Sequence, residues 1–257
     1  MALLEVGELS KSFGGVTAIA DLHFEVPEGL VYSVIGPNGA GKTTLFNMLS
    51  GIYHPDEGSI RFQGEEIIGL PPHRVAAMGL SRTFQNLQMF FNMSVLDNVM
   101  VGCHLRTRSG LLSAALRLPG IVREEREARR LAREALAFCN LEQYLGQEAD
   151  ALPYGVLKRL EIARALAVDP KLLLMDEPAA GLNDTETGEM RRLIRRICER
   201  GITVLLVEHN MGLVMQVSDR ILVLDYGSRL AEGTPEEIQN DRRVIEAYLG
   251  GEVQYAV

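Results

Sequence analysis

The chain has 257 residues, 47% of them hydrophobic and 23% charged, an ordinary balance for a globular protein of one large or two modest domains. Its net charge of −8 weighs against a general nucleic-acid binder, whose footprint is basic. Cys103, Cys139 and Cys198 lie far apart, with neither metal-ligand spacing nor a disulfide framework, and suit a reducing cytoplasm. No leading signal pattern is visible, and no apolar run nears the roughly 20 residues of a membrane span, so any membrane role is expected to be peripheral.

The first third reads as strands and turns. LLEVGELSKSF and DLHFEV alternate apolar and polar residues, placing Leu22, Phe24 and Val26 on one face. Pro27 to Gly29 is a turn. LVYSVI is a short apolar strand that runs into GPNGAGKTT, and TLFNMLSG reads as a helix stopped at Gly51. SIRFQGEEI has the pattern of a hairpin strand turning at Gln63-Gly64. From about Ser94 to Glu148 the pattern is mostly helical, with Ala128, Leu131, Ala135 and Phe138 on one stripe. Between Cys103 and Arg133 there are eight arginines against three glutamates, either a solvated helix face or an orientation toward anionic lipid headgroups.

The last third alternates strand and helix. KLLLM and GITVLLV are apolar strands separated by a helix around ETGEMRRLIRRICER, an alternation that argues for an α/β fold with a parallel sheet and covering helices. ILVLDYGSRLAEG reads as a hairpin turning at Asp225-Tyr226-Gly227. A helix follows, with Thr234 as N-cap, Pro235 at its first position and Glu237 closing a capping box.

Chemistry concentrates in three places. GPNGAGKT, Gly36 to Thr43, fits the spacing of a phosphate loop, in which glycines let backbone N–H groups wrap a phosphate and the following helix aims its positive end at it. Gly36, Pro37, Asn38, Gly39, Ala40, Gly41, Lys42, Thr43 and Thr44 are therefore candidate nucleotide contacts. Lys42 reaches for the β- and γ-phosphates and Thr43 for Mg²⁺. LLLMDEP puts two carboxylates just past an apolar strand, where ligands of open α/β sheets bind. Asp176 is placed to hold Mg²⁺, directly or through water, and Glu177 to orient or deprotonate an attacking water. His209 ends the strand ITVLLVEH; it is either a structural histidine or a donor to the γ-phosphate. Gln85 in SRTFQNLQMF and Phe13 in KSFGG carry no signal alone; they would ordinarily be a surface residue and a core aromatic.

Taken in order, KSF, GPNGAGKTT, TFQN, LPYGVLKRLEIARAL, LLLMDEP, AAGLND and LLVEH resemble the nucleotide-binding subunits of ABC transporters over nearly the whole chain. The resemblance implies a single ABC ATPase domain over residues 1–257 that uses ATP and Mg²⁺. Its parts would be a P-loop NTPase (RecA-like) core with an antiparallel β subdomain, residues 1–88 and 149–257, and a helical subdomain over about 89–148. It also implies that Phe13 stacks on adenine and that Gln85 senses Mg²⁺ and the attacking water and relays to the membrane subunit. Glu177 would then be the catalytic carboxylate and His209 a clamp on the γ-phosphate. Tyr154 and Gly155 would touch the ATP of a neighbouring subunit, in a loop where the family's serine is replaced by Pro153. Asn183 stands where the family usually has aspartate in a loop crossing the dimer interface. KSFGGVTAIADL, RTFQNLQMFFNMSVLDNVMVGCHLRTRSGLL, EHNMGLVM and EAYLG resemble more closely the LivG-type ATPases of branched-chain amino-acid importers.

The implied partners are a second ATPase subunit, identical or a paralogue, integral-membrane permease subunits and, through them, a periplasmic or extracellular solute-binding protein, with no nucleic acid. The implied location is the cytoplasmic side of the cell membrane. Sister systems for urea, short amides or lipopolysaccharide export, a soluble ABC-type ATPase acting in DNA repair or translation, and a regulatory ATP-binding module are the competing readings. One phosphate loop, no heptad arm and no CxxC pair disfavour the soluble ATPase, and Glu177 with His209 disfavours the regulatory module.

Overall fold

The computed structural model describes residues 2–85, 87–103 and 119–253. Strands β1 (Ala2–Phe13), β2 (Val16–Pro27), β4 (Glu57–Phe62) and β5 (Glu65–Glu66) form an antiparallel sheet in the order β2-β1-β4-β5. Leu22, Phe24 and Val26 are all buried on one face of it, as their alternation predicts. The turn from β4 to β5 has Gln63 at φ 55° and Gly64 at φ 79°, the two left-handed positions that a two-residue hairpin with the right twist requires.

The second sheet has six strands in the order β10-β9-β3-β8-β7-β6, formed by β10 (Ser228–Gly233), β9 (Arg220–Asp225), β3 (Val31–Ile35), β8 (Thr203–Val207), β7 (Leu172–Asp176) and β6 (Leu80–Arg82). All are parallel except the edge strand β10, joined to β9 by the turn Tyr226-Gly227. Every residue of β3, β7 and β8 is buried, which is why their sequences are mostly apolar, with one polar residue each, rather than alternating.

Helices cover both faces. Helix α1 (Lys42–Leu49) lies in an apolar cluster shared by the two sheets, with Leu45 and Phe46 against Leu174, Leu205 and Leu222. Helix α2 (Pro72–Ala77) enters that cluster through Val75. On the other face α3 (Val95–Gly102), α4 (Pro119–Phe138), α5 (Tyr154–Leu166) and α6 (Asp184–Glu199) pack with Met175 and Leu206. The short α7 (Met211–Val217) also lies on the sheet, and α8 (Pro235–Asn240) and α9 (Arg242–Val253) close the end of the described chain. Thr234 caps α8 with the capping box expected from its sequence.

The apolar stripe of α4 contains Ala128 and Ala135 as expected, and Ala132 and Leu136 as well, with buried Cys139 just past its end, while Leu131 and Phe138 sit at its margin. On the exposed side Arg129 pairs with Glu125, and Arg130 with Glu127 and Glu134, the arrangement of a solvated face. Arg106, Arg108 and Arg117 of the basic segment lie outside the described residues. Among the described residues no helix is long and apolar enough to cross a membrane.

Candidate active site

The loop Gly36–Gly41 joins the buried end of β3 to α1, and Lys42, Thr43 and Thr44 open the helix. Gly36 has φ 155°, and a Cβ there would lie 2.1 Å from the carbonyl oxygen of Leu224 on β9. Gly41 caps α1 at φ 100°, where a Cβ would lie 2.4 Å from the carbonyl of Ala18. Both glycines are thus required by close backbone neighbours as well as by their dihedral angles. Lys42 is buried and donates to the carbonyls of Gly36 at 2.7 Å and Pro37 at 2.9 Å. Burial holds its pKa below the ordinary lysine value, against the pull of Glu177 and Asp176. Thr43 is exposed at the N-terminus of α1.

One pocket is lined by Asn38, Gly39, Ala40, Gly41, Lys42, Thr43 and Thr44 together with Gln85, Glu177, His209 and Ala18. The sheet order accounts for this convergence: β3, β8 and β7 are neighbours and parallel, so the residues past their C-terminal ends share one edge. Glu177 is the centre of the group. Gln85 Nε2 donates to its Oε2 at 3.0 Å, and His209 Nε2 lies 2.7 Å from its Oε1. Its backbone has φ 49°, unusual for a glutamate, and its N–H donates to the carbonyl of Val207 at 2.9 Å.

Asp176 sits deeper. Its Oδ2 accepts from Arg82 Nη2 at 2.9 Å, with the two side chains only 5% and 7% exposed. Arg82 donates further to Asn47 Oδ1 at 2.8 Å and Ser50 Oγ at 2.9 Å. Burial raises the pKa of Asp176 above the usual carboxylate value, and Arg82 opposes that rise. Thr43, Asp176 and the amide of Gln85 are hard oxygen donors of the type Mg²⁺ takes. Among the described residues there is no cluster of three or more metal-binding His, Cys, Asp or Glu. A Mg²⁺ bound with nucleotide phosphates needs no such cage, since one or two carboxylates and water suffice, so the residues present fit it.

Phe13 is 43% exposed rather than a core aromatic, and its ring meets Tyr53 edge-on at 5.4 Å. Tyr154 and Gly155 do not line the pocket of their own chain. They begin α5, with Pro153 extended at its N-cap. A Cβ on Gly155 would meet Glu186 Oε1 at 2.4 Å, so any other residue here must displace that carboxylate. Glu186 belongs to the capping box of α6, whose N-cap is Asn183. Asn183 therefore does local structural work that either asparagine or aspartate performs.

Four residues of this region escape sequence reading: Arg82, Tyr53, Lys158 and Glu208. Glu208 is buried at the end of β8 and accepts from the N–H groups of Ala179 at 2.7 Å, His209 at 3.0 Å and Asn210 at 3.3 Å. It ties the segment after β7 to the one after β8. Burial raises its pKa, and those N–H donors oppose the rise. A carboxylate abutting a wholly apolar strand was the available signal; the others depend on contacts distant in sequence.

A phosphate loop after a buried parallel strand, with an acidic pair past another strand of the same sheet, defines a P-loop ATPase. A family model described as ABC transporter matches residues 19–180, and one described as branched-chain amino acid ATP-binding cassette transporter matches residues 228–254. The chain belongs to the ATP-binding subunits of ABC transporters. It is 46% identical to the high-affinity branched-chain amino acid transport ATP-binding protein BraF of Pseudomonas aeruginosa, over 96% of this chain and 98% of that one. It is 44% identical to LivG of Escherichia coli over the same shares, and 36% identical to the lipopolysaccharide export ATP-binding protein LptB of Acidithiobacillus ferridurans over 98% of each chain. Among solved structures, a nucleotide-free ATP-binding cassette from an ABC transporter superposes with a TM-score of 0.83 at 33% identity, covering 96% of this chain and 99% of the other. A cassette in its ADP conformation superposes with a TM-score of 0.84 at 31% identity, covering 97% and 99%.

Proposed function

We propose that this chain is the ATP-hydrolysing subunit that energises import of branched-chain amino acids, bound peripherally to permease subunits on the cytoplasmic side of the membrane. The observation that carries the reading is likeness over nearly the full length to BraF and LivG at 44–46% identity, against 36% for the lipopolysaccharide export protein. The match at residues 228–254 supports the same choice.

In this reading the phosphate loop grips ATP through its backbone N–H groups and Lys42, and adenine rests on Phe13 with Tyr53 behind it. Thr43, Gln85 and Asp176 would hold Mg²⁺, which would neutralise charge on the phosphates; of the three, Asp176 is the one buried against Arg82. Glu177 takes a proton from the attacking water, positioned by its hydrogen bond from Gln85, and His209 shifts from Glu177 toward the γ-phosphate. Residues 1–88 and 149–257 form the core and β subdomain, and about 89–148 the helical subdomain. Phe90, Phe91 and Met93 are exposed on that part, an adaptable apolar surface for a short permease helix.

Tyr154 and Gly155 face a second ATPase subunit and complete its site, so hydrolysis by the isolated chain is expected to rise more than linearly with its concentration. Strict proportionality down to high dilution, with a monomer by light scattering, would contradict a shared site. The solute is tested by expression in a bacterium lacking its own LivG-type subunit. Leucine uptake is expected to return with the parent and not with Lys42→Ala; restored urea uptake or lipopolysaccharide export without leucine uptake would overturn the assignment.

Gly155 gives a further expectation. Gly155→Ala displaces Glu186 from its capping box, at about 1 kcal/mol of stability measured by urea denaturation. Gly155→Asp adds a like charge beside Glu186, and is expected to keep nucleotide binding while losing turnover and ATP-driven dimerisation. Parental hydrolysis by Gly155→Asp would reduce the loop to a helix start.

A further inference from the structure

Helix α5 carries two buried charges for which hydrolysis as outlined has no use. Lys158 is 2% exposed and Glu161 is 3% exposed. Charges so far from water persist only where they are well satisfied by hydrogen bonds. Lys158 Nζ donates to the backbone carbonyl of Gln85 at 3.2 Å and to that of Glu177 at 3.5 Å, and lies 5.7 Å from the ring centroid of Tyr154. One turn further along, the carboxylate of Glu161 accepts the N–H of Phe84 at 3.0 Å and that of Gln88. An ammonium offers three donors and no acceptor, and a carboxylate only acceptors. Lys158 thus holds the carbonyls of Gln85 and Glu177, and Glu161 the N–H groups of Phe84 and Gln88 on either side of Gln85.

The targets of Lys158 are the two residues that meet in the pocket, and those of Glu161 flank one of them. Glu177 needs such restraint: its backbone is left-handed, its N–H is fixed by Val207, and its carbonyl is fixed by Lys158. The start of α5 is the Tyr154-Gly155 loop, and Tyr154 also lies against Gly181, whose Cβ would stand 3.1 Å from the Tyr154 ring. Resting on the roles proposed above for Glu177 and for that loop, we infer that Lys158 and Glu161 form a two-point clamp. Through it α5 positions Gln85 and Glu177, so that engagement of the loop by a partner's nucleotide is transmitted to this chain's own site. Both are positioning residues, because neither reaches the pocket.

The test uses the full chain with MgATP and a fluorescent nucleotide analogue. A misplacement of ~1 Å among reacting groups lowers turnover roughly 100-fold, so Lys158→Met is expected to lower kcat by about tenfold to 100-fold. The dissociation constant of the analogue should stay within about threefold, because the phosphate loop is untouched. Lys158→Arg keeps the donors and should recover most of the turnover. Hydrogen exchange should quicken at Phe84, Gln85 and Gln88 in both Lys158→Met and Glu161→Gln, and stay unchanged over Gly36–Thr43. Glu161→Gln decides by the same readouts if Lys158→Met does not fold. Parental kcat and parental exchange in these variants would overturn the clamp. So would a fall in kcat matched by equal loss of nucleotide affinity. An active Glu177→Gln variant would instead sink the catalytic reading on which the clamp rests, a separate result from an unaltered Lys158→Met.

Discussion

Glu177→Gln is expected to bind nucleotide as the parent does and to hydrolyse it about 10²- to 10⁴-fold more slowly, the usual contribution of a positioned general base. The substitution is nearly isosteric and keeps the hydrogen bonds. The amide oxygen still accepts from Gln85, and the amide nitrogen can donate to His209 in its other tautomer. Only the capacity to take a proton is lost. Saturating MgATP should therefore form a lasting complex: at 100 times its dissociation constant it adds about 2.7 kcal/mol of stability. For a chain of this size that raises the melting temperature by roughly 5–10 °C. In Glu177→Gln the shift should persist for hours, whereas in the parent it decays as ATP is consumed. Turnover within about threefold of the parent, against the factor expected of a general base, would move the catalytic role to another residue.

The same position separates strain from function. A glutamate at φ 49° carries about 1–3 kcal/mol of backbone strain. That strain places the carboxylate between Gln85 and His209, past the end of β7. The strain itself was invisible in LLLMDEP, where the acidic pair was legible only as chemistry beside a phosphate loop. The motif signals are local and survive without the fold: GPNGAGKT, the capping box at Thr234, the turn at Gln63-Gly64 and the apolar runs of β3, β7 and β8 each have a physical reason confined to a few residues. What they leave open is set by the order of the strands. Arg82 is one arginine at the end of the three-residue strand β6, and its partner Asp176 arrives through the pairing of β6 with β7. Nothing in the sequence marks Lys158 and Glu161 as buried charges, because only the surrounding elements make α5 buried almost all round. Gly155 was legible, through the family resemblance, as a contact to a neighbouring subunit's ATP. The obstruction to a Cβ visible in the structure is Glu186, brought up by the capping of another helix.

Arg82→Met is expected to remove about 3–5 kcal/mol of folding stability, the usual result of breaking a buried ion pair from one side. For a chain of this length that lowers the melting temperature by roughly 6–20 °C. Arg82 lies within cation–π range of Phe46 and Phe84, so methionine keeps much of the packing and the loss falls on the charge. It leaves Asp176 buried with its strongest partner gone. Burial already holds that carboxyl above its ordinary pKa, and Arg82 is the chief force opposing it. Without the guanidinium the folded-state value rises further. A carboxyl whose folded pKa exceeds its unfolded pKa binds more protons when folded, so its effect on stability is least unfavourable in acid. Stability then falls as pH rises from about 4, the unfolded value, to the raised folded one. The deficit of Arg82→Met relative to the parent should accordingly grow between mildly acidic and neutral pH. Adding Asp176→Asn removes the orphaned charge and should restore about half of the loss or more, while leaving hydrolysis impaired because the carboxylate proposed to hold Mg²⁺ is gone. A loss below about 1 kcal/mol that does not vary with pH would show that the pair behaves as a solvated surface contact. Asp176 would then owe its position to the end of β7 alone.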